Sequence, residues 1–214
     1  MENRPNILVP IDFHDLSLMA LEHSYKYART LGLEIRLLYV HEEPGLLANL
    51  FTSEETDKVI ANIRNELENI ARQASLSSGL TVTAKVRKRK VHSQILSMAE
   101  AWDSRMIIMG TRAGSEEGGI MGANTSRIIR SSTRPVITVS RPPRKDSCNG
   151  ILLPLDLSKE TRQKVTWAIE MARRMQCRIR VVSALWSKND PEILLRLKNQ
   201  MAQVKAFIAS SGIE

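Results

Sequence analysis

Short apolar runs alternate along the chain with longer segments in which apolar residues recur at helical spacing. Ile7 to Asp12 is a continuous apolar run closed by an acidic residue, a pattern typical of a strand buried on both faces of a parallel sheet. The following segment repeats apolar residues every three or four positions, which predicts a helix from Asp15 to Leu31. A second apolar run, Glu34 to Val40, completes the pattern of a strand-helix-strand unit.

The same alternation continues far enough to predict a complete α/β layer. A long helix carries apolar residues from Val59 to Ala74. The later predicted elements are a strand at Thr81 to Val86, a helix at His92 to Trp102, a strand at Arg105 to Met109, a helix at Asn124 to Ser131 and a strand at Pro135 to Val139. Strands that alternate with helices predict a doubly wound α/β fold with a five-stranded parallel sheet.

An internal repeat predicts a second, partial copy of this fold. Ile151 to Asp156 repeats the run Ile7 to Asp12, and the two copies stay aligned without a gap to Val40 and Ala184. The second copy ends here after two strands and two helices, the latter helix predicted to begin at Asp190-Pro191. We therefore expect a complete α/β domain at residues 1–140, a proline-containing linker at 141–149, and the N-terminal half (βαβα) of a second such domain at 150–214.

Composition narrows the class of protein. Hydrophobic residues make up 43% and charged residues 25% of the chain, which is ordinary for a globular protein and excludes collagen-like or disordered chains. No apolar run has the length of a membrane span, and the first residues do not resemble a secretory signal. Two cysteines, Cys148 and Cys177, are too few for a disulfide framework. We expect a cytoplasmic chain with reduced thiols and no membrane partner.

The net charge of +8 raises the question of nucleic-acid binding. The basic residues are densest at Lys85, Arg87, Lys88, Arg89 and Lys90. No aromatic residue interleaves with this cluster, so stacking on single-stranded nucleic acid is not supported. We interpret the cluster as a solvated strand end, and nucleic acid is not an expected partner.

The strongest local signal for chemistry is a glycine-rich segment from Met109 to Thr125, between a predicted strand and a predicted helix. Glycines let a backbone approach a phosphate closely, and a helix N-terminus offers free N–H groups with a favourable dipole. The alternative is a loop followed by a helix that Asn124 or Thr125 caps with a side-chain oxygen. The segment is not a P-loop, because no Gly-Lys-Ser/Thr closes it.

The predicted fold would bring three strand ends together. Ligands of open α/β sheets lie beyond the carboxyl ends of the strands, where the strand order reverses. If the first and fourth strands are neighbours, Asp12, Val40 and Gly110 meet at one crevice. Asp12 could accept a hydrogen bond from a ribose or an adenine amino group, or help to hold a divalent ion; alternatively, it caps the following helix.

These motifs make the chain resemble the universal stress protein (UspA) family. The resemblance rests on four segments: Ile7 to Asp12, Ile107 to Thr111, Gly122 to Thr125 and Arg134 to Val139. It implies a sheet of strand order 3-2-1-4-5 and, as in many members, bound ATP or another adenine nucleotide with Mg²⁺. The nucleotide-binding positions that it implies are Asp12, Val40, Gly110 and Gly122. We add the neighbouring residues of the glycine-rich segment to the candidate nucleotide site: Thr111, Arg112, Gly114, Ala123, Asn124 and Thr125. Because family members dimerise through the fifth strand, the resemblance also implies a homodimer through Val136, Ile137, Thr138 and Val139.

Departures from the family pattern keep a second hypothesis open. Ala113 replaces the second glycine of the pattern, Ala123 replaces the expected hydroxyl residue, and Glu116 and Glu117 add negative charge to the loop. One hypothesis is a nucleotide-binding regulator of the stress response, at most a weak ATP hydrolase. The other is a dimerisation scaffold that does not bind nucleotide. An adenylating enzyme is the least supported of the three, since no Ser-Gly-Gly-x-Asp-Ser loop is present.

The remaining reactive residues indicate neither a catalytic centre nor a metal site. The four histidines, His14, His23, His41 and His92, lie far apart and lack metal-ligand spacing. The sequence contains no Gly-x-Ser-x-Gly elbow and no Cys-x-x-Cys pair. We therefore assign no catalytic residue and no metal ligand from the sequence.

Overall fold

The computed structural model describes residues 4–42, 53–111, 122–140, 150–156, 161–183 and 190–213. The chain divides into two compact units, Met1–Pro143 and Arg144–Glu214. Within the described ranges, no helix combines the length and the apolar character needed to cross a membrane.

The first unit contains the predicted order of strands and helices. Its elements are β1 (Asn6–Pro10), α1 (Asp15–Leu31), β2 (Glu34–His41), α2 (Ser53–Ser78), β3 (Val82–Lys88), α3 (Val91–Ala101), β4 (Met106–Gly110), α4 (Ala123–Ser131) and β5 (Val136–Val139). The predicted α1 is confirmed at both ends. Asp12 lies two residues beyond the last residue of β1, so it belongs to the turn that leads into α1.

The five strands form one parallel sheet in the order β3-β2-β1-β4-β5, which confirms the predicted doubly wound fold. Ile7 pairs with Ile35 on β2 and with Met106 on β4, so β1 is the central strand. Its residues Ile7, Leu8 and Val9 are fully buried, as the continuous apolar run predicted. The strand order reverses between β1 and β4, where a ligand crevice is expected in such sheets.

One buried cluster joins the central strands to α3 and α4. It consists of Leu8, Leu38, Ile95, Met98, Ala99, Ile107, Met109 and Ile128. The apolar sides of α3 and α4 thus cover this face of the sheet. The cluster also reaches the carboxyl ends of the strands through Met109 and the adjacent Val40.

A buried polar network secures the opposite end of the sheet. Asn6 is fully buried, and its Nδ2 donates hydrogen bonds to the carbonyl oxygens of Arg4 at 3.1 Å and Trp102 at 2.8 Å. Ser104 Oγ donates to Asn6 Oδ1 at 2.7 Å. Since each buried polar atom of the amide is satisfied, Asn6 links the start of β1 to the turn between α3 and β4.

The basic cluster lies at a sheet edge. β3 continues to Lys88, two residues beyond its predicted end, and pairs only with β2 among the described strands. The Lys88 ammonium lies 3.7 Å from the Asp57 carboxylate. Charged residues on an edge strand discourage pairing with other chains, which agrees with a solvated strand end.

The second unit consists of β6 (Gly150–Leu155), α5 (Thr161–Met175), β7 (Arg178–Ser183) and α6 (Pro191–Ser210). β6 and β7 are parallel and pair Ile151 with Ile179. Asp190 caps α6 by accepting hydrogen bonds from the N–H groups of Glu192 and Ile193 at 3.0 and 3.1 Å, so the predicted start of this helix is confirmed.

The first strands of the two units, β1 and β6, differ in how deeply their side chains are buried. Leu152 of β6 is 63% exposed, whereas Leu8 occupies the matching place in the repeat and is fully buried. Among the described residues, β6 pairs only with β7. One face of β6 thus remains open in the described part of the second unit.

Candidate functional site

A cleft of about 700 Å³ lies at the carboxyl ends of the central strands. Its walls come from the ends of β1, β2 and β4 and from the starts of α1, α3 and α4. The predicted site residues that line this cleft are Asp12, Val40, Gly110, Thr111, Gly122, Asn124 and Thr125. Ala123 is not among the lining residues, and Arg112 and Gly114 lie outside the described residues.

The N-terminus of α4 opens onto this cleft. Gly122 is the N-cap residue, and because it has no side chain it cannot accept a hydrogen bond from the first N–H groups of the helix. The first hydrogen bond of the helix runs from the Ser126 N–H to the Gly122 carbonyl at 3.0 Å. The N–H groups of Ala123, Asn124 and Thr125 therefore have no acceptor within the helix. These N–H groups and the positive end of the helix dipole form an arrangement suited to an anion.

The alternative expectation, that a side-chain oxygen of Asn124 or Thr125 caps α4, is wrong. Asn124 and Thr125 lie inside the first turn, one and two residues beyond the helix start. Gly122, just before the helix, takes the cap position instead. A glycine cap leaves the helix end open, whereas a capping side chain would occupy one of its N–H groups.

The two described glycines of the glycine-rich segment serve different purposes. A Cβ at Gly122 would have its nearest neighbour, Thr125 Oγ1, 3.9 Å away, so there is open space beside the helix start. A Cβ at Gly110 would collide with the backbone carbonyl of Leu16. Gly110 is therefore required for the first turn of α1 to pack against the end of β4, a packing role that the sequence motif did not reveal.

Thr111 supplies a buried hydroxyl at the cleft wall. The residue is 6% exposed, and its N–H donates to the Val139 carbonyl at 2.8 Å. Its Oγ1 has no hydrogen-bond partner among the described residues. A buried hydroxyl without a partner is costly, so a polar group bound in the cleft would stabilise it.

Asp12 is exposed and sits in the tight turn between β1 and α1. Its Oδ1 accepts a hydrogen bond from the His14 N–H at 3.1 Å, and its own N–H donates to Ser17 Oγ at 3.2 Å. His14 is the N-cap of α1 and makes no side-chain capping bond. One carboxylate oxygen of Asp12 thus supports the turn, and no described residue donates a hydrogen bond to the other, Oδ2.

Part of the cleft wall is apolar. Leu38, Val40, Ile95 and Ile128 contribute to it, and such a surface suits a flat, weakly polar ring. Tyr39 also lines the cleft, and it was not among the predicted site residues. Its place beside Val40 near the end of a predicted strand was the one feature of the sequence that could have indicated it. Burial, and secondarily the negative charge of Asp12, raise the pKa of Tyr39. Its hydroxyl therefore stays protonated at neutral pH and can donate a hydrogen bond.

The charged and metal-ligating side chains around the cleft are few. Asp12 is the one acidic residue among the described lining residues, and His14 is the one histidine. No group of three or more potential metal ligands occurs in the described ranges. His41, which ends β2, does not line the cleft.

The predicted dimerisation residues form one edge of the sheet. β5 pairs with β4 alone among the described strands. Val136 and Ile137 are half-buried, Thr138 is exposed and Val139 is buried. The outer edge of β5 therefore has backbone groups that no described strand pairs.

Comparison with protein families assigns the chain to a known family. The model of the universal stress protein family matches residues 3–140, which is well over half of the chain. The chain therefore belongs to the universal stress protein family.

Two relatives from Methanocaldococcus jannaschii resemble the first unit. Universal stress protein MJ0577 is 27% identical over 153 residues, covering 63% of this chain and 94% of that protein. Universal stress protein MJ0531 is 23% identical over 145 residues, covering 65% and 84%. The solved structure of MJ0577 has a TM-score of 0.55 and covers 66% of this chain and 99% of its own.

A solved structure resembles nearly the whole chain. The universal stress protein from Archaeoglobus fulgidus DSM 4304 has a TM-score of 0.74 and covers 98% of this chain and 74% of its own. At 18% identity, this likeness concerns the fold alone.

Proposed function

We propose that the first unit binds an adenine nucleotide, with ATP as the expected ligand, in the cleft at the carboxyl ends of β1, β2 and β4. The protein would act as a nucleotide-binding regulator of the stress response and not as an efficient enzyme. The observation that carries this proposal is the N-terminus of α4, which no described side chain caps and which opens onto a cleft that also presents Asp12. Membership of the universal stress protein family supports it.

Each part of a nucleotide has a suitable surface in the cleft. The first N–H groups of α4, which have no acceptor among the described residues, and the open space at Gly122 suit the phosphates. The Asp12 carboxylate suits the ribose hydroxyls, and the apolar wall around Val40 suits the base. Mg²⁺ would be bound mainly through the phosphates, because the described cleft offers it a single carboxylate.

Ala123 weakens this site without removing it. A hydroxyl at that position would add one hydrogen bond to a charged phosphate, worth about 1.5 to 3 kcal/mol. Its absence therefore costs roughly 10- to 100-fold in affinity. The N–H groups of the helix start do not depend on the side chain at position 123.

We expect Asp12→Ala to weaken ATP binding at least tenfold, because it removes the acidic acceptor of the cleft. Gly122→Val should weaken binding at least as much, since its branched side chain would fill the space beside the helix start. Isothermal titration with ATP and Mg²⁺ measures both effects. Glu22→Ala, on the exposed face of α1, makes the same charge change outside the cleft and should bind as the wild type does.

Native mass spectrometry of the protein with added ATP and Mg²⁺ reports the bound mass and the number of chains together. About one nucleotide per chain supports the proposal. If the wild type stays empty at millimolar ATP, or if Asp12→Ala and Gly122→Val bind as tightly as Glu22→Ala, the proposed site is wrong.

The scaffold without nucleotide remains the second candidate, and Ala123 favours it. This residue begins α4 but brings no hydroxyl to the place where a phosphate would lie. A dimer that stays empty at millimolar ATP would support the scaffold over the regulator.

We further propose that the protein forms a homodimer through the outer edge of β5. The carbonyl of Pro135 accepts a hydrogen bond from Ile107 of β4, and that of Val139 from Thr111 just after β4. By the alternation of a parallel ladder, the backbone groups of Val136 and Thr138 therefore point to the open edge. An edge strand of this kind is a template for pairing with a second copy.

Thr138→Pro should weaken this dimer at least tenfold, because proline removes an N–H group that faces the open edge. Sedimentation equilibrium measures the dissociation constant. Thr138→Ala keeps the N–H group and should dimerise as the wild type does. Equal dimerisation of both variants would show that β5 is not the interface.

The organisation of the chain belongs to the same proposal. We propose that residues 1–140 are a complete universal stress protein domain, 141–149 a linker, and 150–214 the N-terminal half of a second domain. The internal repeat supports this division, as do the matching element orders β1-α1-β2-α2 and β6-α5-β7-α6. The chain would then be a tandem member of the family.

A further inference from the structure

The turn that presents Asp12 contains a bulky residue in an unusual backbone conformation. Phe13 has φ of +65°, in the left-handed region that glycine adopts easily and a large side chain rarely does. Such a conformation persists only where the surrounding structure holds it. The contacts of Phe13 therefore indicate what this turn is built to position.

Two contacts hold the turn. The hydrogen bond from the His14 N–H to Asp12 Oδ1, at 3.1 Å, spans Phe13, so it depends directly on the backbone angles of that residue. The Phe13 ring packs against the Tyr39 ring of β2, with 5.1 Å between centroids and 33° between planes. Both rings are half-buried. The aromatic contact thus ties the turn to the sheet.

Phe13 itself does not line the cleft. Its neighbours Asp12 and His14 do, and so does its ring partner Tyr39. Ser17 completes the turn, since its Oγ accepts from the Asp12 N–H at 3.2 Å and donates to the His14 carbonyl at 2.8 Å. Phe13 could therefore influence a bound ligand only through the residues that it holds.

We propose that Phe13 is a positioning residue: its left-handed backbone and its contact with Tyr39 fix the Asp12 carboxylate with Oδ1 in the turn and Oδ2 available to a ligand hydroxyl in the cleft. This inference rests on the nucleotide-binding function proposed above. It adds that nucleotide affinity depends on an aromatic pair of which one ring never touches the nucleotide.

Phe13→Leu should weaken ATP binding about tenfold, which corresponds to about 1.4 kcal/mol at 25 °C, because leucine keeps an apolar side chain but cannot reproduce the ring contact. The effect should vanish when Asp12 is already alanine, since Phe13 acts through that carboxylate. Phe13→Gly accepts the positive φ, removes the ring and should also bind about tenfold more weakly. Phe207→Leu makes the same change on the exposed side of α6, away from the turn, and is the matched control, expected to bind within about twofold of the wild type. Tyr39→Phe retains the ring pair and serves only in the measurement without nucleotide.

A second measurement reads the turn without any nucleotide. In the wild type, the hydrogen bond to Asp12 should slow the hydrogen exchange of the His14 amide, followed by NMR. Phe13→Leu and Asp12→Ala should both lose that protection, whereas Tyr39→Phe should keep it. The exchange rate thus reports the position of the carboxylate independently of ligand binding.

The outcomes separate this inference from the proposed function. If ATP does not bind the wild type but Phe13→Leu speeds His14 exchange, the nucleotide proposal fails and the positioning of Asp12 stands. If ATP binds and Phe13→Leu changes neither affinity nor exchange, the positioning role is overturned. Equal losses from Phe13→Leu in the wild-type and Asp12→Ala backgrounds would also overturn it, because Phe13 would then act elsewhere.

Discussion

Gly110→Ala is expected to lower the free energy of unfolding of the first unit by about 3 kcal/mol, near the upper end for overpacked sites. The added Cβ would collide with the Leu16 carbonyl, so the first turn of α1 must move away from β4. For a unit of this size, the melting temperature should fall by about 10 °C. Thermal and urea unfolding of the full chain measure both quantities.

Gly122→Ala is the matched control for this substitution. Its Cβ has open space, with the nearest atom 3.9 Å away, and its φ of −52° suits alanine. We expect its stability to stay within about 1 kcal/mol of the wild type, because alanine restricts the unfolded chain but is a poorer N-cap than glycine. If both alanine variants unfold at the same midpoint, Gly110 is not required by the packing of α1.

Asn6→Asp should destabilise the first unit by about 4 kcal/mol at neutral pH, because it buries a negative charge beside two carbonyl oxygens, with the Ser104 hydroxyl as its one described donor. The Asn6 amide donates to the carbonyls of Arg4 and Trp102, and an ionised carboxylate would turn an acceptor toward both. Asn69→Asp is the matched control, since Asn69 is exposed and its Oδ1 already accepts from Arg72 at 2.9 Å.

The loss caused by Asn6→Asp should depend on pH. Burial beside two carbonyls would raise the pKa of the new carboxyl in the folded state above its unfolded value. The folded variant would then bind a proton more tightly than the unfolded chain, so its stability rises as the pH falls. The deficit relative to the wild type should be smaller at pH 4 than at pH 8, as measured by urea unfolding. A deficit that does not change with pH would contradict the buried carboxylate as its cause.

Periodicity along the chain was sufficient to predict the strands and helices of the first unit. The run from Ile7 lies in a strand buried on both faces, and the helical spacing after Asp15 predicted both ends of α1. These patterns can be recognised in a short stretch of sequence, because the buried positions of a helix or a strand recur at a fixed spacing along the chain. The family motifs added the strand order, which local periodicity does not specify.

The candidate site was only partly predictable. Asp12, Gly110 and Gly122 stood out because acidic and glycine residues at strand and helix ends are conspicuous in sequence. Val40 was also predicted, through the family resemblance. Tyr39 and the other apolar residues of the wall were not, since aromatic and aliphatic residues at such positions serve the core in most proteins. The alternative of a side-chain cap by Asn124 or Thr125 does not hold, because α4 already begins at Ala123 and both residues lie inside its first turn.

The sequence by itself determined the class of this protein: its apolar periods specify the strands and helices, and its motifs specify the family. The tertiary structure alone decided which residues share a purpose. Gly110 meets Leu16 because α1 packs against the end of β4, and Asn6 bonds to Trp102 and Ser104 because β1 lies beside β4. Phe13 meets Tyr39 because β2 neighbours β1. Such contacts join residues far apart along the chain, and they exist only once the packing of whole elements has placed those residues together.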